Sequence, residues 1–412
     1  MSILNENFRL FRNAYLFGTV ASKVKQYEKE HPERDFIRMD VGDVTLPLCQ
    51  EIIKYMHKAV DDLSNSATFA GYGPEYGYKW LRSEIAAKKF EAIGVAMSPD
   101  EIFISDGANS DLGNIGDLFT ADCKVALQDP SYPVYIDASL IDGRAGEPEG
   151  EDYSRLTYLD CTPENNFFPA IPDHHVDLIY LCSPNNPTGG ALNREALKKW
   201  VDYAKRENAV ILYDGAYEAF IRSEDVPHSI YEIDGAREVA IEFRSFSKSA
   251  GFTGLRCGYC IVPFTLKRKF ADGSEGSLNA MWKRRVCTKF NGASYISQRA
   301  ALGALTKEAM DYSRMATDYY LNNAKVLREA LSSACSIIVG GIDSPYVWAK
   351  APEGMGSWEF FDYLLANAAV SCTPGSGFGN CGKGYIRFTG FNTAEKTLRA
   401  AEAISTAIAK IR

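Results

Sequence analysis

Past residue 100 the chain alternates short apolar runs with stretches of helical period. Glu101 to Ser105, Lys124 to Gln128, Asp177 to Cys182, Ala209 to Asp214, Glu238 to Arg244 and Cys257 to Val262 each predict a buried strand. Between them, Arg194 to Glu207 puts Leu197, Trp200, Val201 and Ala204 on one face, predicting an amphipathic helix. Strands alternating with helices predict βα units and a mostly parallel, mixed sheet flanked by helices. Upstream, Phe36 to Asp43 alternates like a strand and stops near Gly42. Gln50 to Leu63 has helical spacing through Ile53, Met56, Val60 and Leu63, and a second helix is expected from Lys79 to Ile93. Gly71 to Gly77 is too rich in glycine and proline for either element. Beyond about residue 295 the pattern changes to long helices, Gln298 to Ser333, then short strands around Tyr346–Trp348 and Tyr385–Phe388. The expected organisation is α/β: an arm with part of a small domain at 1–45, a large domain at 46–294 and a smaller α+β domain at 295–412.

The polar loops after these strands carry the candidate chemistry, because ligands in open α/β sheets sit beyond the carboxyl ends of the strands. Lys248 follows one strand and lies among Ser245, Ser247, Gly251, Gly254 and Arg256. A lysine held in a desolvated, cationic pocket loses its proton readily and can bond an aldehyde. Two hydroxyls and an arginine beside it can bind one phosphate. The combination points to pyridoxal 5'-phosphate, whose ring nitrogen then needs a carboxylate beside it. Asp214, an acid ending a buried strand, is the candidate. Asn186 and Tyr217 offer hydrogen bonds to the ring oxygen, Tyr132 a flat aromatic face, and Arg387 a bidentate partner for a substrate carboxylate. The Gly turn at 107–109, before a predicted helix, offers amides to an anion.

Net charge and local patterns narrow the alternatives. A net charge of −8 with no basic stripe argues against nucleic-acid binding. No run approaches the roughly 18 apolar residues of a membrane span, and the first residues lack a secretory pattern, so a cytoplasmic protein is expected. Ten scattered cysteines fit reduced thiols. Cys257 and Cys260 match a C-x-x-C pattern, but three residues apart on a strand they point to opposite faces. The histidines have no ligand spacing, so no metal is expected. Gly377 to Gly382 matches G-x-G-x-x-G yet precedes a strand rather than a helix, which removes the dinucleotide reading.

The runs Ser183-Pro-Asn-Asn-Pro-Thr-Gly189, Tyr213-Asp-Gly-Ala-Tyr217, Ser245-Phe-Ser-Lys-Ser249 and the later Arg387 resemble, in this order, the class I/II, fold-type I aminotransferases. Longer strings are similar to those of the LL-diaminopimelate aminotransferase family: Gly71-Tyr-Gly-Pro, Ile104-Ser-Asp-Gly-Ala, Gln128-Asp-Pro-Ser-Tyr-Pro, Gly251-Phe-Thr-Gly-Leu-Arg256 and Phe290-Asn-Gly-Ala-Ser294. The resemblance implies transamination between glutamate/2-oxoglutarate and tetrahydrodipicolinate/LL-2,6-diaminopimelate, in lysine biosynthesis. It implies Lys248, Asp214 and Tyr132 as the reacting and ring-holding residues, and Gly107, Ala108, Asn109, Ser245, Ser247 and Arg256 around the cofactor, with Asn186 and Tyr217. It implies a homodimer, with Tyr72 reaching the other subunit's phosphate, and Tyr15, Gly42, Glu75, Asn109, Asn291 and Arg387 lining the substrate site. Where the family is expected to have lysine after Gly-Ala, this chain has Asn109, one cation fewer in the substrate pocket. An aspartate or aromatic aminotransferase, a pyridoxal-phosphate β-lyase and a non-catalytic regulator remain alternatives at this point.

Overall fold

A computed structural model of the chain describes residues 3–11, 16–333 and 335–411. Its centre is a seven-stranded sheet: β1 (Ile102–Ser105), β2 (Val125–Asp129), β3 (Leu156–Asp160), β4 (Leu178–Cys182), β5 (Val210–Asp214), β6 (Ala240–Ser245) and β7 (Gly258–Ile261), in the order β1-β7-β6-β5-β4-β2-β3. All neighbours are parallel except β7, which runs antiparallel to both β1 and β6. The strands are apolar on both faces, as a sheet covered on two sides requires. Ile211 and Tyr213 pack in one apolar layer, Val210 and Leu212 in the other. Cys257 joins the first layer and Cys260 the second, so this pair does face opposite ways.

Helices cover the sheet: α2 (Gln50–Ser64), α3 (Ala108–Asn114), α4 (Val134–Ile141), α5 (Arg194–Glu207), α6 (Phe246–Ser249) and α7 (Tyr295–Gly303), with α1 (Leu16–Glu30) preceding them in the chain. The predicted bounds of α5 match those observed. Asn193 caps its start through Ala196 N (2.9 Å), and Asn208 ends it in the left-handed region at φ 57°. The helices expected over 298–333 are α7 and α8 (Lys307–Leu331), parted where Thr306 caps α8. Two expectations need correction. The buried face of α2 carries Ile52, Ala59 and Asp62 and leaves Val60 exposed, one position round from the predicted stripe. Only Ile37–Arg38 of the 36–43 run pairs as a strand, beside Val370–Ser371. Met39 still bonds Ser371 and Thr389 through its backbone, and beyond it the Asp40 and Gly42 carbonyls turn toward the site described below.

A second core gathers Val20, Val24, Ile37 and Met39 with Ala324, Leu327 and the C-terminal elements. Its antiparallel sheet is β8 (Ile338–Gly340), β9 (Tyr346–Lys350), β10 (Thr373–Pro374) and β11 (Tyr385–Thr389), in the order β8-β9-β11-β10. The helix α9 (Ala394–Ile408) packs on α8 behind it. Ala300, Ala301 and Ala309, by contrast, pack in the core of the seven-stranded sheet. No helix among the described residues is long and apolar enough to cross a membrane.

Candidate active site

A cavity of about 620 Å³ opens where the carboxyl ends of the central strands meet the four-stranded sheet. The ordinary range for small-molecule sites includes this size. Asp214, Tyr217, Ser245, Ser247, Lys248 and Arg256 reach it from the loops after β5 and β6. Ala108, Asn109, Tyr132 and Asn186 reach it from those after β1, β2 and β4, and Arg387 from β11.

Lys248 sits in a single helical turn because Ser245 caps it: the Ser245 hydroxyl accepts from the Ser247 amide (3.1 Å). Its amine donates to the Gly42 carbonyl and lies 5.3 Å from the Phe391 ring centre. Burial pushes this amine down to about 8; Asp43 opposes the shift, while the Arg387 and Arg256 charges reinforce it. Asp214 ends β5 beside Cys182 and Phe243, almost wholly buried. Burial pushes its carboxyl upward. The Tyr135 hydroxyl, donating at 2.7 Å, and the Ala216 amide, donating at 3.0 Å, work against that shift. Tyr135 escaped the sequence reading: three positions after Tyr132 on α4, it resembles any core tyrosine, and its partner is 79 residues away.

Three of the expected phosphate holders meet. The Arg256 guanidinium lies 3.5 Å from the Ser247 hydroxyl, and a Cβ at Gly107 (φ 132°) would stand 2.7 Å from Arg256 Nη2. Arg256 itself has φ 55°, a left-handed conformation uncommon for a residue with a side chain. On the other side of the cavity the Tyr132 hydroxyl donates to Asn109 Oδ1 (3.1 Å).

Arg387 is 1% exposed and is the most fully enclosed cation of the site. Nη1 donates to Asn186 Oδ1 (2.6 Å) and Nη2 to the Asp40 carbonyl (2.9 Å), at the point where the chain leaves the strand ladder. The guanidinium carbon lies 4.5 Å from the Tyr346 ring centre and 5.0 Å from that of Phe378. Nε is buried with no hydrogen-bond partner among the described residues, in a side chain that lines the cavity. Tyr346 is a second residue the sequence reading missed; its hydroxyl stands 2.8 Å from that of Tyr217.

The structure brings fewer of the far-end residues together. Gly42 lines the cavity; a Cβ there would fall 2.7 Å from the Tyr346 hydroxyl, so a side chain would displace that group. Tyr72 is 96% exposed, and neither Glu75 nor Asn291 lines this chain's own cavity. Those two loops do touch, Gly292 lying against Glu75. Tyr15 lies outside the described residues. Outside the cavity, Asp129, Asp160 and Cys381 bring ligand atoms within 4.8 Å of one another, a group that could hold a metal ion.

The donor set fits pyridoxal phosphate: an amine that loses its proton near pH 8, a buried carboxylate across the cavity, and an arginine–serine–glycine cradle.

Residues 34–404 match the family described as aminotransferase class I and II. The chain is 49% identical over 402 residues to an LL-diaminopimelate aminotransferase of Bacteroides fragilis, covering 97% of this chain and 98% of the relative. It is 51% identical over 391 residues to one from Phocaeicola vulgatus, covering 95% and 96%. Among solved structures, an L,L-diaminopimelate aminotransferase from Chlamydomonas reinhardtii superposes with a TM-score of 0.92 at 38% identity, over 98% of both chains.

Proposed function

The chain belongs to the class I and II aminotransferases, and from that premise we propose that it transfers the amino group of glutamate to the open-chain form of tetrahydrodipicolinate, giving LL-2,6-diaminopimelate for lysine synthesis. Transamination is carried by one observation: Lys248 and Asp214 face one cavity together with a buried arginine, Arg387, whose Nε has no hydrogen-bond partner among the described residues. The choice of substrate is supported by the near-full-length relatives, which carry the diaminopimelate name.

Pyridoxal phosphate, when bound, supplies an aldehyde that exchanges amines and a ring that takes up the electrons left when a substrate Cα loses its proton. In this reading Lys248 would hold the aldehyde, Asp214 would stand by the ring nitrogen, and Asn186 and Tyr217 would donate to the ring oxygen. Tyr132 covers the ring face. Gly107, Ala108, Ser245, Ser247 and Arg256 hold the phosphate. The free Lys248 amine, pushed down to about 8 by burial, would be the group to take and return the Cα proton. Arg387 orients the α-carboxylate, and the aromatic faces of Tyr346 and Phe378 around it exclude water and strengthen the pairing.

The active unit in this reading is a homodimer. Tyr72, Val60 and Phe69 are exposed on one stretch of chain, and Tyr72, Glu75 and Asn291 serve the partner's site. Ten free cysteines suit a reducing cytoplasm. In this reading the two cores belong to two domains, a large one at 46–294 and a smaller one at 295–412 that the 1–45 segment joins, with Ala300, Ala301 and Ala309 of the later stretch packed against the larger core.

A panel of amino donors tests the substrate. The purified protein, followed by the visible absorbance of its bound cofactor, is expected to respond to LL-diaminopimelate and glutamate and to lose the response in Lys248→Ala. A response confined to aspartate or tyrosine would reject the diaminopimelate assignment.

A further inference from the structure

We propose that Tyr346 is a positioning residue of the reaction: its hydroxyl fixes the direction in which Tyr217 offers its proton. This rests on reading the cavity as a pyridoxal-phosphate transamination site. Tyr346 opens β9 of the small sheet, while Tyr217 follows β5 of the large one, so the pair joins the two halves of the cavity wall.

The argument is a count of protons and acceptors. Tyr346 is 1% and Tyr217 6% exposed; their hydroxyl oxygens are 2.8 Å apart, and the rings meet edge-on at 5.1 Å and 70°. Burial raises both phenols, so both keep their protons at neutral pH. A single O···O contact accommodates one O–H. The second proton has no protein acceptor among the described residues and must turn into the cavity.

The surroundings decide whose proton that is. A Cβ on Gly42 would fall 2.7 Å from the Tyr346 hydroxyl, so that hydroxyl stands close to the backbone at Gly42, whose carbonyl already accepts from Lys248. Its ring is held under Arg387 at 4.5 Å and edge-on to Phe391 at 6.2 Å. Tyr346 is the more enclosed of the two phenols, and in this proposal its O–H is the one directed at Tyr217. Tyr217 then accepts from Tyr346 and keeps its own O–H for the ring oxygen of the cofactor. Tyr346 touches neither that oxygen nor the reacting atoms in this scheme; it acts through Tyr217.

Tyr346→Phe removes the hydroxyl and keeps the ring under Arg387. With cofactor bound, the pH midpoint of its visible absorbance is expected to move by about half a unit or more, because a donor to the ring oxygen loses its orientation. kcat should fall about 10-fold, as the loss of one buried hydrogen bond implies, with KM for the amino donor within about twofold, since Arg387 keeps its support. Gly42→Ala, which pushes the hydroxyl away without touching Tyr346 itself, should shift the midpoint the same way. The decisive arm is a double-mutant cycle: in a Tyr217→Phe background, Tyr346→Phe should add nothing to the midpoint shift or the loss of kcat. Additive effects, or a Tyr346→Phe enzyme with the wild-type midpoint and kcat, would overturn the proposal. Failure of the underlying reading shows separately: the wild-type protein would then take up no cofactor.

Discussion

Lys248 differs from the other lysines of the chain in where its amine has to live. Moved from 10.5 to about 8, mainly by burial, it is protonated in roughly nine molecules of ten at pH 7 and neutral in most at pH 9. The sign for stability follows. The folded state holds the proton less tightly than the unfolded chain, so burying the charged amine costs about 3 kcal/mol below pH 8, and that cost fades as pH rises to 10.5. Reactivity follows the same titration. In the cofactor-free protein, the rate at which Lys248 bonds pyridoxal phosphate should rise about tenfold from pH 7 to 9 and then level off. An ordinary lysine would gain about a hundredfold over that interval and keep climbing past pH 10. Stopped-flow absorbance measures this directly, and a rate still climbing past pH 10 would contradict the assigned environment.

At the scale of elements, the sequence was most readable where one local force decides the outcome. Buried parallel strands appear as short apolar runs, and α5 has both of its ends marked by asparagines, so these could be located with little error. What stayed hidden depends on distant partners. The 36–43 run alternates like a strand, but past Met39 the Asp40 and Gly42 carbonyls serve Arg387 and Lys248, 347 and 206 residues away, instead of a ladder. Tyr135 and Tyr346 look like core aromatics until Asp214 and Tyr217 are set beside them. Asp111 in α3 is a similar case. It is buried, accepts from the Ser105 hydroxyl at 2.5 Å, and is pushed up to about 8 by burial, with Asp106 adding and Arg285 opposing. It is therefore largely protonated at neutral pH, where the unfolded chain would have it ionised. Folding takes up a proton, and stability drains away as pH climbs from about 4 to 8. Asp111→Asn should remove that loss. Urea unfolding is expected to give a gain on the order of 2–4 kcal/mol at pH 7.5, and little at pH 4.5. An equal gain at both pH values would mean that the carboxyl is ionised in the fold.

For the whole molecule, the question is which chain completes each site. Lys248, Asp214 and Arg387 meet within one chain, whereas Tyr72 stands 96% exposed and Glu75 and Asn291 do not line that chain's own cavity. Exposed Val60 and Phe69, near Tyr72 in sequence, are what a symmetric interface would cover. If each site of the proposed dimer takes its lysine from one subunit and Tyr72 and Glu75 from the other, two defective chains can repair each other. A Lys248→Ala chain and a Tyr72→Ala, Glu75→Ala chain are each expected to be nearly inactive alone. Unfolded together and refolded as an equal mixture, half the dimers are hybrids, and each hybrid has one site with both contributions intact. Activity should then return to about a quarter of the wild-type level per site. Chains that carried complete sites of their own would show no gain on mixing, whatever their oligomeric state, so the recovered fraction reports directly on whether the loop at 71–77 belongs to the neighbouring active site.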